Sequence, residues 1–198
     1  MTMTERMCII TMKNTEKGRL YVISAPSGTG KGTIIAKMLE LRPELRLSVS
    51  ATTRAPREGE EHGVNYFFVT REDFEDMIAR GEFHEYAEYV GEYYGTPKKP
   101  IYEHIENGRD VLLEIETNGA MQVMMMHPDA VSIFIVPPSL EELERRLRGR
   151  GTDSEDKLIH RLERAKLELD YQGEYAHVVV NDDITTAAEE ILGIIDGG

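Results

Sequence analysis

Leu20-Tyr21-Val22-Ile23-Ser24-Ala25-Pro26-Ser27-Gly28-Thr29-Gly30-Lys31-Gly32-Thr33 decides how this chain of 198 residues is read. Four apolar residues, rich in β-formers, run into a turn-rich stretch with two closely spaced glycines. Beyond it, residues 31–41 carry apolar side chains at helical spacing. The three pieces form a buried strand, a glycine loop and a helix. Such a loop offers backbone N–H groups to an anion at the helix N-terminus, and a lysine there neutralises phosphate charge. The pattern G-x-x-x-x-G-K-[ST] is met imperfectly. Ala25 stands at the first glycine position and Gly32 at the hydroxyl position, with Thr33 one residue later. Gly28 and Gly30 still permit close backbone approach. Residues Ala25, Pro26, Ser27, Gly28, Thr29, Gly30, Lys31, Gly32 and Thr33 are therefore expected to bind the phosphates of a nucleotide. With Gly32 in place of a hydroxyl, Mg²⁺ would be held by nucleotide phosphates and water, not directly by the protein.

Outward from the loop, Val111 to Glu116, Val131 to Val136 and Val178 to Val180 are short β-rich runs separated by helical-looking sequence. That alternation predicts an α/β fold, with a mainly parallel sheet covered by helices. Residues 48–95 differ, with more Tyr, Phe and Gly and shorter apolar segments. They read as an inserted lobe, in which residues 66–69 and 83–89 form antiparallel strands around a helix over 71–80. Ser139 and Glu142 have the spacing of a capping box for a helix starting at Leu140. That helix breaks at Gly149-Arg150-Gly151, and another runs over 154–171. The expected organisation is a disordered leader over 1–18, a core of 19–47 and 97–198, a lobe of about 48–96 and a lid of about 146–161.

Length is compatible with one domain that buries roughly 70% of its unfolded surface. The 23 Lys and Arg residues against 36 Asp and Glu leave a charge of −13. That balance opposes diffuse binding to nucleic acid or anionic membranes, so a phosphate site must be built locally. Cys8 is the single cysteine, which excludes an intrachain disulfide and fits a reducing, cytoplasmic setting. No run approaches the roughly 18 apolar residues that cross a bilayer. The six histidines show no metal-binding spacing, and Met121 to Met126 reads as the packing flank of a helix.

Several separated stretches together resemble the guanylate kinase family: Ser24 to Thr33, Ser48 to Glu60, Gly63 to Phe68, Phe83 to Glu88, Tyr93 to Thr96, Glu114-Ile115-Glu116, Arg146 to Gly151 and Val180 to Asp183. The match covers nearly everything from Arg19 onward. The resemblance implies ATP as donor, with Mg²⁺, and GMP as acceptor, dGMP included. It makes the lobe the monophosphate site. Arg54 and Arg57 would grip the acceptor phosphate with bidentate forks. Tyr66 and Tyr94 would donate hydroxyl hydrogen bonds to it, and Glu60 belongs to the same stretch. Glu85 would read guanine, helped by Glu116, Ser50 and Thr96. Glu114 would steady hydrated Mg²⁺ and Asn181 would lie near adenine.

Guanine presents two donors, N1–H and the exocyclic amine, where a carboxylate supplies two acceptors. Adenine would leave a buried Glu85 unpaired. Phosphoryl transfer needs placement and positive charge, not a protein nucleophile. Lys31 and Arg54 are the expected catalytic cations, joined on lid closure by Arg146, Arg150 and Arg161. Taken without the resemblance, these arginines would read as solvated or ion-paired with Glu144, Glu155 or Glu163. Two rivals stay open: a binding module that has kept the fold but lost catalysis, and a kinase for AMP or UMP. Oligomeric state is not legible.

Overall fold

The computed structural model describes residues 17–89, 91–149 and 154–197. The expectations for the leader through residue 16, for Cys8 and for Arg150 lie outside them. In chain order the elements begin with β1 (Leu20–Ser24), α1 (Lys31–Leu41), β2 (Arg46–Leu47), β3 (Ala51–Thr52) and β4 (Phe67–Phe68). Next come α2 (Arg71–Ala79), β5 (Phe83–Tyr89), β6 (Glu92–Pro97), α3 (Lys98–Glu106), β7 (Val111–Glu114) and α4 (Thr117–Met126). The chain ends with β8 (Val131–Val136), α5 (Leu140–Gly149), α6 (Glu155–Leu169), a 3₁₀ turn over Asp170–Glu174, β9 (His177–Val180) and α7 (Ile184–Gly197).

The main sheet runs β2-β7-β1-β8-β9, with every neighbouring pair parallel. The α/β expectation therefore holds. β1 is central and wholly buried, as its unbroken apolar run required. On one face Ile34, Ile35 and Met38 of α1 pack with Ala188, Ile191 and Ile195 of α7. On the other, Ile101 of α3 and Ala120 and Val123 of α4 cover Val22, Leu113 and Phe134. Closed on both sides, the sheet leaves open the carboxyl ends of its strands, where ligands of such folds gather.

The second sheet is ordered β4-β3-β6-β5. β5 and β6 are antiparallel, as are β3 and β6, but β4 lies parallel to β3, with Ala51 opposite Phe67. The expectation of purely antiparallel strands fails there, because residues 53–66 loop back before pairing. Phe74 of α2 is stacked between Phe83 and Tyr93, at 4.4 and 5.2 Å between ring centres. This aromatic sandwich is the second sheet's own small core.

The capping box is half made. Ser139 Oγ accepts the Glu142 N–H at 3.2 Å, but the Glu142 carboxylate turns to Arg145 and Arg146. Of the methionine run, Met121 and Met124 pack on the core, whereas Met125 and Met126 are exposed.

Candidate active site

β1 delivers the chain to the loop at the open carboxyl end of the sheet. Gly28 and Gly30 both have φ of +93°, a left-handed conformation that side chains resist. At Gly30 a Cβ would also lie 2.8 Å from Asn181 Nδ2. The loop is tied from within: Thr29 N–H and Oγ1 both donate to Pro26 O, at 3.2 and 2.8 Å. Asn181 Nδ2 donates to Thr29 O at 2.6 Å. In the first turn of α1, Thr33 N–H donates to Gly30 O at 3.1 Å, while the amides ahead of it have no carbonyl of their own helix to bond. Thr29 is fully buried, with its N–H, hydroxyl and carbonyl all engaged within the loop, so its part is to tie the loop together.

Lys31 opens α1 and donates to Ile115 O at 3.2 Å, with Glu114 Oε1 3.9 Å away. Burial pushes its pKa down, while Glu114, Glu116 and Glu168 push it back up. A cleft of about 970 Å³ spreads over this loop. Its walls include Lys31, Thr33, Glu116, Lys157, His160 and Arg164. Arg161 crosses it to donate to Ser27 Oγ at 2.8 Å. Arg146 is bound to Glu142 Oε1 at 2.7 Å, with Thr29 O at 3.5 Å. Both arginines stand against the loop in this structure.

Across the cleft, Arg54 is gripped by both oxygens of Glu60 and lies over Tyr66 and Phe68, 5.5 and 5.8 Å from the ring centres. Tyr94 lies 6.1 Å from Tyr66, ring to ring. Arg57 gives its backbone N–H to Glu60 at 2.7 Å while its side chain is exposed. Tyr94 and Thr96 share a face of β6 under the two-residue repeat. Thr96 therefore continues the row toward Glu85, to which its hydroxyl donates at 2.5 Å. Burial pushes the Glu85 pKa up, the Thr96 hydroxyl pulls it down, and the charge of Glu116 raises it again. Ser50 stands beside β3, its carbonyl accepting Phe67 N–H at 2.8 Å.

The two carboxylates of the Glu114-Ile115-Glu116 stretch separate. β7 ends at Glu114, which stays with Lys31, whereas Glu116 precedes α4 and meets Arg164 at 2.6 Å. Asn181, expected near a base, is instead 2% exposed and sits beneath the loop. Sequence reasoning missed Arg164, Lys157 and His160, which project from α6 among many exposed charges. It also missed Gly119, whose missing Cβ would lie 3.0 Å from Glu85 Oε2.

Among the described residues, no group of three or more His, Cys, Asp or Glu could hold a metal, and no helix is long and apolar enough to cross a membrane. A parallel sheet with a lysine-bearing glycine loop at the carboxyl end of its central strand defines a P-loop phosphotransferase of the α/β class. The guanylate kinase family model matches residues 17–197. A guanylate kinase of Synechococcus sp. (strain CC9902) is 53% identical over 174 residues, covering 88% of this chain and 93% of the relative. One from Clostridioides difficile (strain 630) is 51% identical, covering 91% and 88%. The crystal structure of guanylate kinase from Anaplasma phagocytophilum superposes with a TM-score of 0.72 at 39% identity, covering 92% of this chain and 87% of that one. This chain belongs to the guanylate kinase family.

Proposed function

We infer that this chain transfers the terminal phosphoryl group of ATP to GMP, yielding ADP and GDP, and that it works in the cytoplasm. The observation that carries the acceptor's identity is the Glu85–Thr96 pair, a sheltered carboxylate whose oxygens match the two donors of guanine. Thr96 favours its ionised form, and adenine would leave those oxygens without donors.

The chemistry follows from placement. Lys31 and the amides at the start of α1 take the donor phosphates, and Arg161 and Arg146 add positive charge from the opposite wall. Arg54, with Arg57, Tyr66 and Tyr94, takes the acceptor phosphate, whose own oxygen attacks. Mg²⁺, entering with ATP, would neutralise donor charge. Glu114 Oε1, 3.9 Å from Lys31 Nζ, and the exposed Thr33 on the first turn of α1 are the groups that would steady it through water. An oxygen-only environment of that kind suits a hard, hydrated cation.

A coupled ADP-release assay with ATP, Mg²⁺ and GMP, dGMP, AMP or UMP in turn tests this reading. GMP and dGMP should be turned over well and the others poorly. Comparable rates with AMP and GMP would overturn the guanine assignment, and full activity in Lys31→Ala would overturn the loop assignment.

A further inference from the structure

Arg161 and Arg164 lie one turn apart on α6, so they project from the same face. Arg161 reaches the donor loop at Ser27, whereas Arg164 reaches Glu116 Oε2 on the acceptor-base side at 2.6 Å. Arg164 also donates to Glu168 Oε1 at 2.9 Å, which anchors its guanidinium to its own helix. Glu116 needs such an anchor: its side chain is 77% exposed and it precedes the first residue of α4. A carboxylate with one oxygen engaged still has the other free to accept a hydrogen bond.

Resting on the guanine reading above, we propose that Arg164 is a positioning residue for the acceptor base, holding Glu116 so that its second oxygen faces the pocket and offsetting the charge that Glu116 exerts on Glu85. Among the described residues, the groups facing these carboxylates are few. Glu85 meets the Thr96 hydroxyl from β6, the backbone of Gly119 on α4, and the charge of Glu116. Glu116 meets Arg164 from α6 and acts on Lys31 across the cleft. Among the described residues, Arg164 is thus the cation bound directly to Glu116. Without it the full charge of Glu116 acts on Glu85 and favours protonation there, and a protonated Glu85 loses an acceptor for guanine.

The test uses the full chain, with Arg164→Ala and Arg164→Lys followed by KM for GMP, KM for ATP, and kcat/KM for GMP against pH. Arg164 is well exposed, so its loss should not unfold the protein. Arg164→Ala should raise KM for GMP about fivefold, near the upper range for an exposed ion pair, with a smaller change for ATP. The acid limb of kcat/KM for GMP should move to higher pH by about half a unit. Arg164→Lys should restore part of both. A wild type that turns over GMP and AMP alike overturns the guanine reading itself. A discriminating wild type whose Arg164→Ala variant shows unchanged or lower KM for GMP, or an unmoved acid limb, overturns this proposal alone.

Discussion

The Arg54 guanidinium and the Glu60 carboxylate form a two-pronged pair, Nη1 to Oε2 and Nη2 to Oε1, each at 2.9 Å. Glu60 Oε2 also accepts the Arg57 N–H, so one carboxylate fixes the loop that carries Arg54 and Arg57, the arginines proposed for the acceptor phosphate. Family resemblance makes Glu60 a GMP-binding residue, and in the structure its carboxylate is engaged with Arg54 and the Arg57 N–H. Glu60→Ala should accordingly raise KM for GMP about tenfold, the scale of a charge-assisted pair, and leave KM for ATP almost unchanged. Steady-state kinetics with each substrate varied in turn measure the split. Equal losses for both substrates would point to general unfolding of the lobe instead.

His84 of β5 is 2% exposed, and its Nδ1 faces His127 Nε2 at 3.1 Å. Burial first, and then His127 and Lys98, push the His84 pKa down to about 4. In the unfolded chain a histidine titrates near 6.5. Above that value His84 is neutral in both states, and its contribution is fully present. As pH falls from there toward about 4, only the unfolded chain takes up the proton, so stability is lost across that window, by roughly 3 kcal/mol. Thermal melts of wild type and His84→Gln should diverge at neutral pH and converge toward pH 4. Parallel curves would remove His84 as the cause.

Asn181 supports the loop from below, through its 2.6 Å bond to Thr29 O. Asn181→Ala would leave that buried carbonyl with only the long 3.5 Å bond from Arg146, at a cost of up to about 1–3 kcal/mol, and would loosen the amides proposed to hold the donor phosphates. KM for ATP should rise with no change in the ratio of ATP to GTP as donor. A changed donor ratio would return Asn181 to the base-reading role that family resemblance suggests.

The contrast between Asn181 and Lys31 shows how far the sequence could be read. Lys31 was legible because a glycine loop between a buried strand and a helix can bring a lysine to only one place. β1, α1, β5 and β8 were legible for the same local reason: their apolar periods are clean. Asn181 was not, because its job depends on β9 lying beside β8 under the loop, a pairing that no local pattern encodes. α7 had a readable signal that went unused: Asp183 caps it through Thr186 N–H at 2.9 Å, and Ala187, Ala188, Ile191, Leu192 and Ile195 repeat at helical spacing. Arg164 had no such signal, since one more arginine on a charged helix reads as solvated until α6 is seen against Glu116.

Gly119 shows the same limit and gives the last prediction. It lies in the first turn of α4, where glycine is a poor helix former, and Glu85 of β5 packs directly on it. A Cβ there would meet Glu85 Oε2, Cγ and Cδ at 3.0, 3.1 and 3.2 Å. The carboxylate is held from the other side by Thr96, so it cannot yield without losing that bond. Gly119→Ala should therefore change stability little, a gain of up to about 1 kcal/mol from helix propensity being offset by the weakened Glu85–Thr96 bond, while raising KM for GMP and narrowing the preference for GMP over AMP. Glu85→Gln should narrow the same preference by about 1–3 kcal/mol through the lost acceptor. Combined, the two changes should cost less than their sum, because both act on one carboxylate. Full additivity would mean that Gly119 acts on something other than Glu85.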